Sequence, residues 1–327
     1  MLNRIVGQTE QLVVNQNNWF SSPKIKAITA LVIGILAMAF APIFIKLGEK
    51  AMNPTSVILC RLLMTTIILG FVNGLQTLKR QFSDNQSKQT KSYNIKIIGL
   101  FIATGILFLV PQLLWALSLT QTSVANSALS FSFTPIFNSL GQWLLLGKRF
   151  NSKFLVGMMV AIIGSLIIGL DDWSYEKNKI QGDLLALLAA LFASFYLLLI
   201  ERLRDRFDAI TIVQWNAIMS SIILLPIWVI SGEEILAFDR GEWFTITGLA
   251  LTLILSRVLI VYALKWLSSE FIAVVILLDP IFAGILAWVI FSETVDFYNL
   301  LAFPVILLGI YLATISQFDT EVPYQVN

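Results

Sequence analysis

Histidine is absent from this 327-residue chain, and cysteine occurs once, at Cys60. Without histidine there is no Ser-His-Asp hydrolase triad and no HExxH metalloprotease. One cysteine excludes an internal disulfide and a cysteine metal cluster. Charge is scarce too. Asp, Glu, Lys and Arg make up 13% of residues, against about 25% in soluble domains. That is too little polar material to coat a water-exposed surface, so a bilayer is the natural solvent for the 57% of residues that are hydrophobic. A net charge of +2 is too small for a nucleic-acid footprint. No GxxxxGK[ST] loop is present, which argues against a nucleotide-driven pump. No cofactor is implied.

A span needs roughly 20 apolar residues to cross about 30 Å of hydrocarbon. Ten stretches qualify: 27–45, 54–75, 97–118, 124–146, 154–170, 183–200, 209–230, 243–264, 271–291 and 298–316. The gaps at 119–123 and 265–270 predict tight helical hairpins, and Gln76–Asn94 predicts an exposed loop. Residues 1–26 and 319–327 are expected to be tails. With the N-terminus inside, fifteen lysines and arginines fall in cytoplasmic segments, among them Lys148, Arg149, Arg202, Arg204 and Lys265. Five fall on the other side: Lys46, Lys50, Lys177, Lys179 and Arg240. That bias places both termini in the cytoplasm. Trp19, Trp173, Trp228, Trp243 and Trp266 lie near span ends, where amphipathic rings anchor at headgroups.

The chain also repeats itself. An offset of 145 residues superimposes Pro135-Ile136-Phe137 on Pro280-Ile281-Phe282, and pairs Trp143 with Trp288 and Gly164 with Gly309. An offset of 155 pairs Met64–Leu69 with Met219–Leu224. Ordered matches of this kind predict two related halves, 27–172 and 182–318. Each half holds five spans, an odd number, so the second enters the membrane inverted. Such repeats place a substrate site near the midplane. The basic Lys148-Arg149 inside has Glu293 as its counterpart outside; Lys46 and Glu201 run the opposite way.

The segments Trp115–Phe150 and Tyr262–Thr294, with Phe40, Lys46, Pro54 and Arg61 upstream, resemble the signatures of EamA-type members of the drug/metabolite transporter superfamily. The resemblance covers about residues 27–318. It implies an all-α membrane protein of ten helices in two inverted five-helix repeats, an exporter or permease working without a nucleotide. The family usually ends its fourth helix in Gly-Glu, where this chain has Gly147-Lys148; Glu293 keeps the glutamate in the second half.

Asn126, Ser130, Thr134, Asn138 and Gln142 recur every four residues in the fourth span, along one helix face. Amides facing lipid each cost several kcal/mol. That face is expected either to line a wet cavity or to bond neighbouring helices. Pro135 and Pro280 each break a span near its middle, exposing carbonyls to substrate or allowing a bend. Three charges lie inside spans. Arg61 either snorkels outward or reaches substrate. Arg257 and Asp279 sit at matching depth, as a structural pair or as a substrate or proton site. Gly157, Ala161, Ser165 and Gly169 in the fifth span, and Ala186, Ala190 and Ser194 in the sixth, are expected to be packing seams.

These residues predict a secondary transporter of a small organic metabolite across the inner membrane, not an enzyme. Its partners are the solute and the bilayer, with no nucleic acid, and the reading leaves room for a coupling ion or proton and for a homodimer. The alternative is a membrane-embedded enzyme or carrier acting on a lipid or lipid-linked substrate.

Overall fold

The computed structural model describes residues 22–47, 54–82, 95–122, 127, 130–168, 179–230, 232, 240–292 and 297–319. Asn126, Gly169, Glu293, Trp19 and Trp173, singled out above, lie outside the described residues. Among those described, secondary structure is helical, as it must be where no water can satisfy the backbone. The helices are α1 (Pro23–Ala39), α2 (Ala41–Leu47), α3 (Pro54–Phe82), α4 (Ile95–Leu119), α5 (Thr134–Leu146), α6 (Ser152–Ile168), α7 (Lys179–Arg204), α8 (Ala209–Ile230), α9 (Arg240–Ala263), α10 (Ser269–Val275), α11 (Asp279–Phe291) and α12 (Phe297–Asp319).

Among the described residues, seven segments are long and apolar enough to cross a membrane. They run Pro23–Ile45, Pro54–Leu75, Ile95–Leu119, Ile180–Arg204, Ala209–Ile230, Gly241–Ala263 and Ser269–Phe291. Ser152–Ile167 and Leu300–Ser316 are shorter apolar helices, and α5 occupies the end of the expected fourth span. Helix α3 continues to Phe82, so the first part of the expected 76–94 loop is helical instead. Leu119–Thr122 and the residues after Ala263 form the tight turns expected there. The faces turned away from neighbours are apolar: Ile67, Phe71, Leu144, Ile230 and Phe244 are all exposed. Apolar side chains both inside and outside are what lipid as solvent requires.

Helices pair across the two halves of the chain. Helix α6 lies along α12, α3 along α8, and α5 touches α10. The remaining close pairs come in matched twos: α4 with α7 and α9 with α1; α5 with α7 and α11 with α1; α4 with α8 and α9 with α3. Small residues set the closest approach. On α12, a Cβ at Gly309 would lie 2.3 Å from the Ala161 nitrogen on α6, and one at Gly157 would lie 2.6 Å from the Ala313 nitrogen. The seam expected on the fifth span is therefore a packing seam at Gly157 and Ala161. Ala186, Ala190 and Ser194 are fully buried.

Two spans are broken by the same device. Helix α5 starts at Thr134 with Pro135 in its first turn, where the missing N–H costs no hydrogen bond. Helix α11 starts at Asp279 with Pro280 in its first turn, after a 3-10 turn at Ile276–Leu278. Both helices are 13 residues long, and both end in a left-handed residue: Gly147 at φ 64° and Ser292 at φ 55°. At Gly147 the backbone N–H of Lys148 reaches the Gln142 carbonyl at 3.3 Å. The Gly147 N–H itself donates to the Trp143 carbonyl at 3.0 Å, which closes an αL cap at the end of α5.

Candidate substrate cavity

A cavity of about 650 Å³ lies between the halves, within the range of small-molecule sites. It extends from Ile45, Pro54 and Thr120 at helix ends down to Arg257 and Asp279. Much of its wall is apolar: Leu107, Trp115, Phe131, Leu253 and Leu277, with Pro135 and Pro280 at the two helix breaks. Thr134 and Asp279, the first residues of α5 and α11, both line it, as do Arg61, Gln112, Ser132, Ser165, Tyr196 and Ser256.

The charged lining residues are held partly by protein and partly by nothing. Arg61 donates from Nη2 to Gln112 Oε1, and Gln112 Nε2 donates in turn to the Phe108 carbonyl at 2.8 Å. The Arg257 guanidinium stands 5.5 Å from the centroid of the Phe108 ring, a cation–π contact. Arg61 Nε, Arg257 Nε and Asp279 Oδ1 are buried without a hydrogen-bond partner. Arg257 and Asp279 face the same cavity, but no ion pair within 4 Å joins them among the described residues. Matching depth brought them to one chamber without bringing them into contact. Tyr196 packs its ring on Phe108 at 5.3 Å and accepts a hydrogen bond from Asn216 at 3.0 Å.

The expected polar face of the fourth span divides. Thr134 lines the cavity and donates to the Phe131 carbonyl at 2.6 Å. Ser130 is buried outside the cavity lining, with its carbonyl accepting from Phe133. Asn138 and Gln142 lie further along α5, in a second cluster. Asn138 donates to the Ser194 carbonyl at 3.2 Å and accepts from Ser269 Oγ at 3.1 Å. Gln142 Nε2 reaches Ser269 Oγ, Glu201 and Glu270. Glu270, 2% exposed, is ion-paired with Lys148, and the Ser269 N–H donates to Glu201 at 3.3 Å. A vestibule of about 430 Å³ adjoins this cluster, lined by Gln142, Lys148, Glu201, Arg202, Asp205 and Lys265.

Sequence reasoning missed Gln112, Tyr196 and Glu270. Gln112 had a signal, an amide inside an apolar run beside Pro111. Glu270 falls inside the 265–270 gap expected to be a tight hairpin, where nothing marks it for burial.

Apolar helices surround a chamber whose charged groups keep single buried atoms without hydrogen-bond partners, an arrangement suited to a membrane-embedded transporter of small solutes. The EamA-like transporter family matches the chain twice, over residues 25–170 and 180–315, and the chain belongs to that family. It is a multi-pass membrane protein of the transporter class. An uncharacterized transporter of Archaeoglobus fulgidus is 25% identical over 88% of this chain and 96% of its own. The uncharacterized transporter YxxF of Bacillus subtilis is 24% identical over 91% of this chain and 92% of its own. A solved crystal structure shares the fold, with a TM-score of 0.75 at 14% identity, covering 92% of this chain and 99% of that one.

Proposed function

We propose that this protein is a secondary transporter that moves a small organic metabolite across the inner membrane by alternating access, with both termini in the cytoplasm. The observation that carries the reading is the chamber itself, where Arg61, Arg257 and Asp279 each keep a buried polar atom without a protein partner. Such atoms cost free energy unless a ligand satisfies them. Arg61, Thr134, Arg257 and Asp279 are the proposed substrate contacts, and the breaks at Pro135 and Pro280 shape the walls. Asn138 and Gln142 act instead in the cluster that separates the chamber from the vestibule.

Ten spans in two inverted repeats, at residues 27–172 and 182–318, fit several independent features. The family matches twice. Helices α5 and α11 start, break and end at positions 145 residues apart. Helix pairs come in twos that exchange when one half is renamed as the other. In this state the chamber extends toward the outer helix ends, while Lys148, Gln142, Glu201 and Glu270 seal its cytoplasmic side. Rocking one half on the other would break that seal and form its counterpart outside.

The test is counterflow in proteoliposomes preloaded with a panel of amino acids, organic acids and nucleosides. Accumulation of labelled solute without nucleotide, lost in Arg257→Gln, is the expected result. No flux for any solute, together with a chemically altered lipid, would replace transport with enzymatic action on lipid.

A further inference from the structure

We infer that the transported solute carries a net single negative charge together with an ammonium group. The inference rests on the transport reading and narrows it to a substrate class. Among the described residues, three charged side chains line the chamber: Arg61, Arg257 and Asp279. Two cations and one carboxylate leave a charge of plus one. Gln112, the hydrogen-bond partner of Arg61, is neutral. An uncompensated charge at this depth in a bilayer is costly, and a complementary ligand removes the cost.

The unpartnered atoms state the rest of the requirement. Arg61 Nε and Arg257 Nε are donors in need of an acceptor, and Asp279 Oδ1 is an acceptor in need of a donor. An anionic group between the arginines and an ammonium at Asp279 would meet all three. A simple zwitterion supplies both ends but leaves the chamber charged. A second negative charge on the same solute balances it. The Phe108 ring, stacked against Arg257 at 5.5 Å, limits the ways the guanidinium can turn. Trp115, Phe131 and Leu277 offer apolar surface to a short carbon skeleton. The class is therefore an amino acid with an acidic side chain, or an aminoalkyl phosphate.

The experiment uses the purified full-length chain, with binding followed by thermal stabilisation and transport by counterflow. The probes are L-aspartate, L-glutamate and O-phosphoethanolamine, which carry an ammonium and a net charge near minus one. L-leucine is the neutral zwitterion, and succinate the dianion without an ammonium. The first three should bind at least about tenfold more tightly than the last two, as one extra charge-assisted hydrogen bond allows. Arg257→Gln should shift the preference toward leucine, and Asp279→Asn toward succinate. Asp279→Glu should keep the parent order and guards against a mere folding defect. Leucine or succinate equal to aspartate in the parent would overturn the inference. So would an unchanged order in a folded Asp279→Asn variant. Transport confined to uncharged solutes would overturn the charge class while leaving the transport reading intact; flux of no solute at all would sink both.

Discussion

Gly309→Ala adds one methyl group to the seam between α6 and α12, and its effect follows from the geometry. The new Cβ would stand 2.3 Å from the Ala161 nitrogen and 2.6 Å from both Ala161 Cα and the Gly157 carbonyl oxygen. All three are helix atoms that cannot rotate away, so the helices must part by about 1 Å to restore ordinary contact. Overpacking of this kind costs about 1–3 kcal/mol. The seam also loses dispersion along its length, at roughly 0.1–0.2 kcal/mol for each separated atom pair. The expected total is about 3 kcal/mol, or a fall in melting temperature of roughly 5 °C, read by fluorescence-detected unfolding in detergent. Gly99→Ala is the matched control, because a Cβ there meets nothing within 4 Å. That variant should gain about 0.5–1 kcal/mol by restricting the unfolded chain. A Gly309→Ala protein that melts with the parent would refute the close-packed seam.

Four further outcomes are expected. Lys148→Met strips the half-exposed ammonium from buried Glu270, a loss of about 1–3 kcal/mol if the seal stays shut; labelling of Thr134→Cys from the cytoplasmic side, in a Cys60→Ala background, should therefore accelerate, and an unchanged rate would count against the seal. Ser292→Gly relieves a left-handed backbone at a non-glycine residue and should raise stability by about 1 kcal/mol; a lower melting temperature would contradict this. Tyr196→Phe leaves fully buried Asn216 without its acceptor and should cost about 1–3 kcal/mol, measured as a melting shift. Reporter fusions at Gln86 and Asn151 should read cytoplasmic and those at Asn178 and Glu234 external; a cytoplasmic signal at Asn178 would overturn the inverted topology.

Much of the fold was legible because apolar runs in a bilayer have few alternatives to helix. Helix ends were less so: α3 runs to Phe82 because nothing in residues 76–82 forbids helix once the span is nucleated. The site was read by depth along single helices, and depth carries no information about azimuth. Arg257 and Asp279 both line one chamber, while their separation was invisible in the sequence. The four-residue period through Ser130, Thr134 and Asn138 presupposes a continuous helix. The chain turns at residues 132–133 before α5 begins at Thr134, so Ser130 and Thr134 do not share a face. Beyond the break the period is sound, and Asn138 and Gln142 do act together. Their partners Ser269 and Glu270 are over 120 residues away, out of reach of any local pattern.

Glu201 shows how a charge can be misread when it is assigned to a loop. By position it sits at the cytoplasmic end of the sixth span, acidic where the opposite repeat places Lys46, and so it runs against the charge inversion of the two halves. The structure puts it on α7, three residues before the helix ends, with its carboxylate receiving the Ser269 N–H and facing Gln142. It belongs to the hydrogen-bonded cluster around Gln142 and Ser269. Orientation is set by lysine and arginine, with acids contributing little. Arg204 is likewise committed, donating to the Val261 carbonyl at 3.0 Å and the Phe207 carbonyl at 2.7 Å, where it satisfies two carbonyls near helix ends. Arg202 is exposed and remains available to the membrane surface. Removing Lys148 and Arg204 from the cytoplasmic tally still leaves a large excess there. The proposed orientation rests on the exposed cations, and the acid that opposed the pattern is held by Ser269 and Gln142 rather than by the headgroups.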